Sequence, residues 1–160
     1  MKSKKRHLTL EKRARIVDFI IDHYKKVRGR KSFPKKILAD IVPLIFPGSD
    51  YKDRGFFKVV HTVHSPAHKR VLKLSHAKST KRDWEVYRRL PANIRNRYFA
   101  KIYWHTKYCL LQKYGKKVAI PERELQKLRK IGKKCRIMDI KKDNVRKVDG
   151  HFKIIDANPS

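Results

Sequence analysis

Carboxylates are what this sequence has least of: 14 Asp and Glu stand against 44 Lys and Arg in 160 residues, a formal net charge of +30. Such an imbalance excludes a surface indifferent to polyanions and implies an acidic protein partner or nucleic acid. Cysteine is nearly absent, with only Cys109 and Cys135. A disulfide framework is thereby excluded, and a reducing cytoplasm is the expected compartment. No apolar run approaches the roughly 18 residues of a membrane span, so no membrane is expected as a partner. The basic N-terminus lacks the apolar stretch of a signal peptide. His61, His64 and His68 lie near one another but have no Cys or acid alongside, so a metal site is not expected there. What remains is a chain of one domain's length, with 40% hydrophobic residues and a mean hydropathy of −0.72. That suffices for a proper core.

The scarce acids are not evenly spread. Four of the ten Asp fall between Asp139 and Asp156, in Ile137-Met138-Asp139-Ile140-Lys141-Lys142-Asp143-Asn144-Val145, Asp149-Gly150 and Phe152-Lys153-Ile154-Ile155-Asp156. Asp-Gly favours a type I′ hairpin, so the flanking strands run antiparallel. That fold-back brings the loop at Asp139–Asn144 beside the strand end at Asp156. An Asp, an Asn and a second Asp then face one small volume, as a Mg-nucleotide site for phosphoryl transfer requires. The plainer alternative is that Asp-x-x-Asn merely caps a helix or turn.

The whole string resembles the catalytic and metal loops of eukaryotic-type protein kinases, His-Arg-Asp-Leu-Lys-x-x-Asn, a hairpin, then Asp-Phe-Gly. The resemblance implies that Asp139 is the catalytic Asp, Lys141 the accessory Lys, and Asn144 and Asp156 the Mg2+ ligands. Upstream, Arg70-Val71-Leu72-Lys73-Leu74 is similar to the family's Val-Ala-Ile-Lys, which places Lys73 on the phosphates of ATP. Glu85, in a helix read from Lys81 to Leu90 and ended by Pro91, is the candidate ion-pair partner of Lys73; the alternative is a surface pair with Arg89. Gly55-Phe56-Phe57-Lys58-Val59-Val60 resembles a reduced Gly-rich loop, with Phe57 at the tip and Val60 over the adenine, although a ligand-free hairpin reads equally well. Tyr98–Trp104 and Tyr108–Gln112 read as the last two strands of a five-stranded sheet. Lys113-Tyr114-Gly115 then resembles the hinge that offers backbone groups to adenine, which makes Gln112, Lys113 and Tyr114 candidate cofactor-binding residues. A helix starting at Pro121 and closed by Gly132 leads to Asp139.

The resemblance also has departures. Ala157-Asn158 replaces the Phe-Gly of the metal loop, Ile137-Met138 replaces His-Arg, and Arg146 stands where the family has an apolar residue beneath the adenine. No Ala-Pro-Glu motif follows, which implies a minimal second lobe. Residues 1–47 lie outside the resemblance and read as two helices, Thr9 to Val27 and Pro34 to Ile45, the second broken by Pro43. They pack on the body or form an appendage for a partner.

The expected fold is therefore α+β: a protein-kinase-like N-lobe antiparallel sheet with one αC-like helix, a minimal C-lobe, and an N-terminal helical extension (1–47) packed on a body of 48–160. The expected activity is a minimal Ser/Thr protein kinase using ATP and Mg2+ on a protein hydroxyl, since Lys141 two after the catalytic Asp is the family's Ser/Thr form. The alternative is an inactive kinase-like protein docking on nucleic acid or an acidic host protein; Tyr98, Tyr103, Trp104 and Tyr108 could stack bases. So compact and basic a form resembles small phage- or virus-encoded proteins.

Overall fold

A computed structural model describes residues 9–31, 33–54, 58–64, 69–156 and 158–159, without the side chains of 51–54, 58, 59, 64, 158 and 159. The chain is α+β. Helices α1 (Leu10–Arg28) and α2 (Lys35–Ile45) precede three strands, β1 (Asp50–Arg54), β2 (Lys58–His64) and β3 (Lys69–Ser75). Helices α3 (Ala77–Arg89) and α4 (Ala92–Tyr98) lead to β4 (Ile102–His105) and β5 (Cys109–Lys113). These five strands form one antiparallel sheet in the order β1-β2-β3-β5-β4. Helix α5 (Glu122–Lys134) then delivers the chain to β6 (Ile137–Met138), a 3-10 turn at Lys142–Asn144, and the hairpin of β7 (Val145–Val148) and β8 (His151–Ile154). A short β9 (Asn158–Pro159) pairs with β6.

The two-residue period of β3 and β5 divides the core. Leu72, Leu74, Cys109 and Leu111 face one side of the sheet, where α1 and α2 cover them with Ala14, Val17, Ile21, Leu38 and Val42. Helices α1 and α2 thus close one face of the sheet. Thr9 caps α1 by accepting from Lys12 N at 3.2 Å, and Gly29, at φ 60°, ends it in a left-handed turn. Pro43 does not break α2, which runs through it to Ile45. It forfeits one backbone donor near the end of the helix, and the Phe46 N–H still donates to Val42 O at 2.7 Å. The middle of α1 is latched to the β4–β5 turn. Asp22 accepts from the Tyr108 hydroxyl at 2.5 Å and from Lys107 Nζ at 2.9 Å, while Asp18 accepts from the backbone N–H of Lys107 and Tyr108.

A second cluster joins Val86, Leu90, Phe99, Leu125, Leu128, Ile137, Ile140, Val145 and Ile154, uniting α3, α5 and the hairpin. Two sequence expectations fail here. Tyr98 is the last residue of α4 rather than the start of a strand. Gly132 does not close α5 but lies inside it, because a β-carbon there would sit 2.2 Å from Ile140 Cδ1 and 3.1 Å from Ile137 O. Its bareness lets the 137–140 segment lie directly on the helix. No helix of the described residues is long and apolar enough to cross a membrane.

Candidate functional site

Lys73 is the centre of the arrangement. The pleat that sends Leu72 and Leu74 to the helices sends Lys73 to the opposite face, directly across from Val60 on β2 and Leu110 on β5. The residue is 6% exposed. Its ammonium donates to Ile155 O at 2.7 Å and lies 3.5 Å from Asp156 Oδ1. An isolated buried ammonium is costly to desolvate, and the carbonyl and carboxylate just past β8 meet that cost.

Asp156 is placed by the hairpin. Asp149 and Gly150 have φ of 49° and 81°, the pair of positive values a type I′ turn requires. Val145 then pairs with Ile154, and one residue further Ile155 N donates to Asn144 O at 2.8 Å. Asn144 and Asp156 are therefore neighbours at the open end of the hairpin. Asn144 Nδ2 donates to Asp139 O at 3.3 Å, and Asp139 Oδ1 meets Lys141 Nζ at 3.1 Å. Asp139 has φ 63°, in the left-handed region that costs most residues energy. A sharp backbone corner thus holds Asp139, Lys141 and Asn144 in one loop, and Asn144 is the member that pairs with Ile155, next to Asp156. No family model matches the chain, and no curated protein matches it either.

At its closed end the hairpin meets the segment after β5. Lys116 and Lys147 exchange two backbone hydrogen bonds of 2.9 Å, and Lys113 Nζ is paired with Asp149. That bond holds the Asp149 carboxyl below its ordinary range. Gly115 is a close approach: a β-carbon would lie 2.5 Å from Arg146 Cβ and 2.7 Å from Val148 Cγ2. Tyr114 carries Lys69 Nζ over its ring at 4.2 Å. Arg146, expected beneath an adenine, curls its guanidinium back to donate to the carbonyls of Asp143 and Val145 at 2.7 and 2.9 Å.

Two residues depart from their expected roles. Glu85 does not reach Lys73. It is exposed on the outer side of α3, 4.0 Å from Lys81 and beside Trp84 and Arg88. The reason is helical phase: Thr80, Val86 and Leu90 are buried, and Glu85 falls on the opposite side. Asp83, three residues from both Thr80 and Val86, is the α3 carboxylate that lines the crevice with Lys73 and Asp156. A stripe read from Thr80 rather than from Trp84 would have found it. Gln112 likewise departs from the expected contact with adenine. It is buried on β5, where its amide nitrogen donates to Ile155 O at 3.2 Å and to Ala100 O at 3.5 Å. The crevice enclosed by Lys73, Asp83, Tyr87, Gln112 and Ile155 holds about 20 Å3, room for a single water.

Val71 lies opposite Gln112 and shares the face of Lys73. Gly55 and Phe57, expected in a phosphate-covering loop, lie outside the described residues, as do His68 and the side chain of His64. His61 is buried among the residues of the sheet and its imidazole is held below its ordinary pKa by that burial. Among the described residues no three His, Cys, Asp or Glu come together as a metal-holding group. The donor set at Asn144 and Asp156 still fits Mg2+, which takes hard oxygen ligands and is bound by one or two carboxylates plus substrate phosphates.

Proposed function

We propose that this protein is an ATP-dependent phosphotransferase, a compact Ser/Thr protein kinase acting on a protein hydroxyl. One observation carries the reading: a buried lysine on a central strand meets a carboxylate that stands one residue past the backbone partner of Asn144. Lys73, the loop of Asp139–Asn144 and Asp156 are the kinds of group phosphoryl transfer needs. The sheet order and the place of α3 are compatible with a kinase-like upper lobe. Cytoplasmic location belongs to the same reading.

In this mechanism Lys73 orients the α- and β-phosphates, its ammonium poised by Ile155 O and Asp156. Asn144 and Asp156 would hold Mg2+, which when bound neutralises phosphate charge. Asp139 accepts the proton of the acceptor hydroxyl as its oxygen bonds to the γ-phosphorus and the bond to the ADP oxygen breaks. Lys141 neutralises charge on the phosphoryl group in flight. Val60 and Val71 border the adenine end, with the backbone of Lys113–Gly115 opposite.

A second reading, an inactive kinase-like binding protein, draws support from Glu85, which lies exposed beside Lys81 on the outer side of α3. Incubation with γ-labelled ATP and Mg2+, followed by intact-mass analysis of the protein and of acidic acceptor proteins, separates the two. Label on a Ser or Thr supports the enzyme. ATP binding with no transfer to any acceptor supports the binding protein.

A further inference from the structure

We propose that a groove between α4, α5 and β8, distinct from the Lys73 site, binds single-stranded nucleic acid. It encloses about 410 Å3, within the roughly 300–1,000 Å3 typical of ligand sites. Arg97 comes from α4, Lys127, Lys130 and Lys134 from successive turns of α5, and His151 from β8. The spacing of the three lysines puts them along one line of the helix. Glu124 is the one carboxylate in the lining, and it is already paired with Lys127 at 3.5 Å.

Charge alone would fit any polyanion; the rings narrow the choice. Tyr98 and Phe152 are half-buried in the same wall, with Arg97 Cζ 5.3 Å and Lys147 Nζ 5.7 Å from their respective ring centres. Aromatic faces set among cations that track a backbone are how sequence-tolerant single-strand sites are built: bases stack, and phosphates pair with Lys and Arg. An acidic peptide would use the cations but gain nothing from two flat rings. A duplex presents no free base faces to a concave site of this size.

The test uses full-length protein and fluorescein-labelled dT12 and rU12, titrated by anisotropy from low to physiological salt. Lys127→Glu, Lys130→Glu and Lys134→Glu together should weaken binding at least tenfold. They should also flatten the salt dependence by about 2 in log–log slope, three phosphate contacts at about 0.7 each. A matched reversal on the outer side of α3, Lys78→Glu, Arg82→Glu and Arg89→Glu, should cost less than threefold. Phe152→Leu keeps an apolar residue against the core and should still weaken binding by roughly fivefold, the low end of one base stack. It also decides the case if the triple variant fails to fold. Equal losses in the two triple variants would overturn the proposal, leaving diffuse charge. So would an unchanged affinity in Phe152→Leu together with displacement of the oligonucleotide by a poly-glutamate peptide at equal charge concentration, which would assign the groove to acidic peptides. ADP and ATP should not compete, so failure here and failure of the phosphotransfer reading remain separate.

Discussion

Replacing Lys73 by Met should disarm the site without destabilising the protein. The Lys73 side chain is 7% exposed, and the effective cost of taking an ammonium out of water is several kcal/mol. Against this stand its contacts with Ile155 and Asp156. The hydrogen bond to Ile155 O at 2.7 Å, charge-assisted, is worth roughly 1.5–3 kcal/mol. The Asp156 contact is long at 3.5 Å and its carboxylate side chain is 32% exposed, so solvent screening limits it to about 1 kcal/mol. Met fills nearly the same volume, and Ile155 O keeps the Gln112 N–H at 3.2 Å. The terms nearly cancel, so stability should change by no more than about 1 kcal/mol, a shift in Tm within roughly 4 °C for a chain of this size. ATP affinity should instead fall about 10- to 150-fold, the range of one lost hydrogen bond to a charged group. Urea and thermal melts give the first quantity and calorimetric titration with Mg-ATP the second. A loss of stability above about 3 kcal/mol would refute the reasoning, because Lys73 would then be a structural keystone. Unchanged ATP affinity would refute its role on the phosphates.

Three further outcomes are expected. Asp139→Asn should leave Mg-ATP binding near that of wild type while transfer falls by roughly 10²–10⁴, the usual contribution of a general base; radiolabel transfer under saturating ATP measures it. Gly115→Ala must push the segment away from Arg146 and Val148 and strain the Lys116–Lys147 hydrogen bonds. It should cost about 2–4 kcal/mol, from overpacking and weakened bonding, read as a lower urea midpoint. At the α1 latch, burial pulls the Asp22 carboxyl upward, but Tyr108, Lys107 and Lys25 outweigh this and leave it below its ordinary 3.8. A lowered carboxylate pKa contributes stability that is present above the unfolded value and lost as pH falls through the folded one. Asp22→Asn should therefore lower stability at neutral pH and flatten the acid limb of the Tm profile below about pH 4.

The hairpin and its consequence were legible in the sequence because turn chemistry is local: Asp149-Gly150 dictates the register, and register brings Asn144 beside Asp156. Lys73 was picked out by the similarity of its strand to Val-Ala-Ile-Lys; the pleat of β3 is what sends it to the face opposite Leu72 and Leu74. Glu85 was misread because three aromatic and apolar residues, Trp84, Tyr87 and Leu90, suggested a buried stripe whose true centre is Thr80, Asp83 and Val86. A half-buried Trp on a helix flank carries no phase information. Gln112 was correctly read as strand but counted among the groups at the adenine, whereas burial on β5 turns its amide to Ala100 O and Ile155 O. Gly132 was read as a stop because glycine often ends helices, whereas here a tertiary contact with Ile140 claims the empty position.

The stitching of the β7–β8 hairpin has a mechanical consequence. Two backbone bonds tie its turn end to Lys116, Ala100 N donates to Ile154 O at 2.9 Å near its other end, and Lys73 and Gln112 both grip Ile155 O. Hinged opening between the sheet and the hairpin would have to part several of these at once, at roughly 0.5–1.5 kcal/mol apiece. The sheet, the hairpin and the loop at Asp139 therefore behave as one stiff chassis, like a wrench with fixed jaws. Any ligand seated along the hairpin would have to enter and leave without the hairpin swinging away from the sheet.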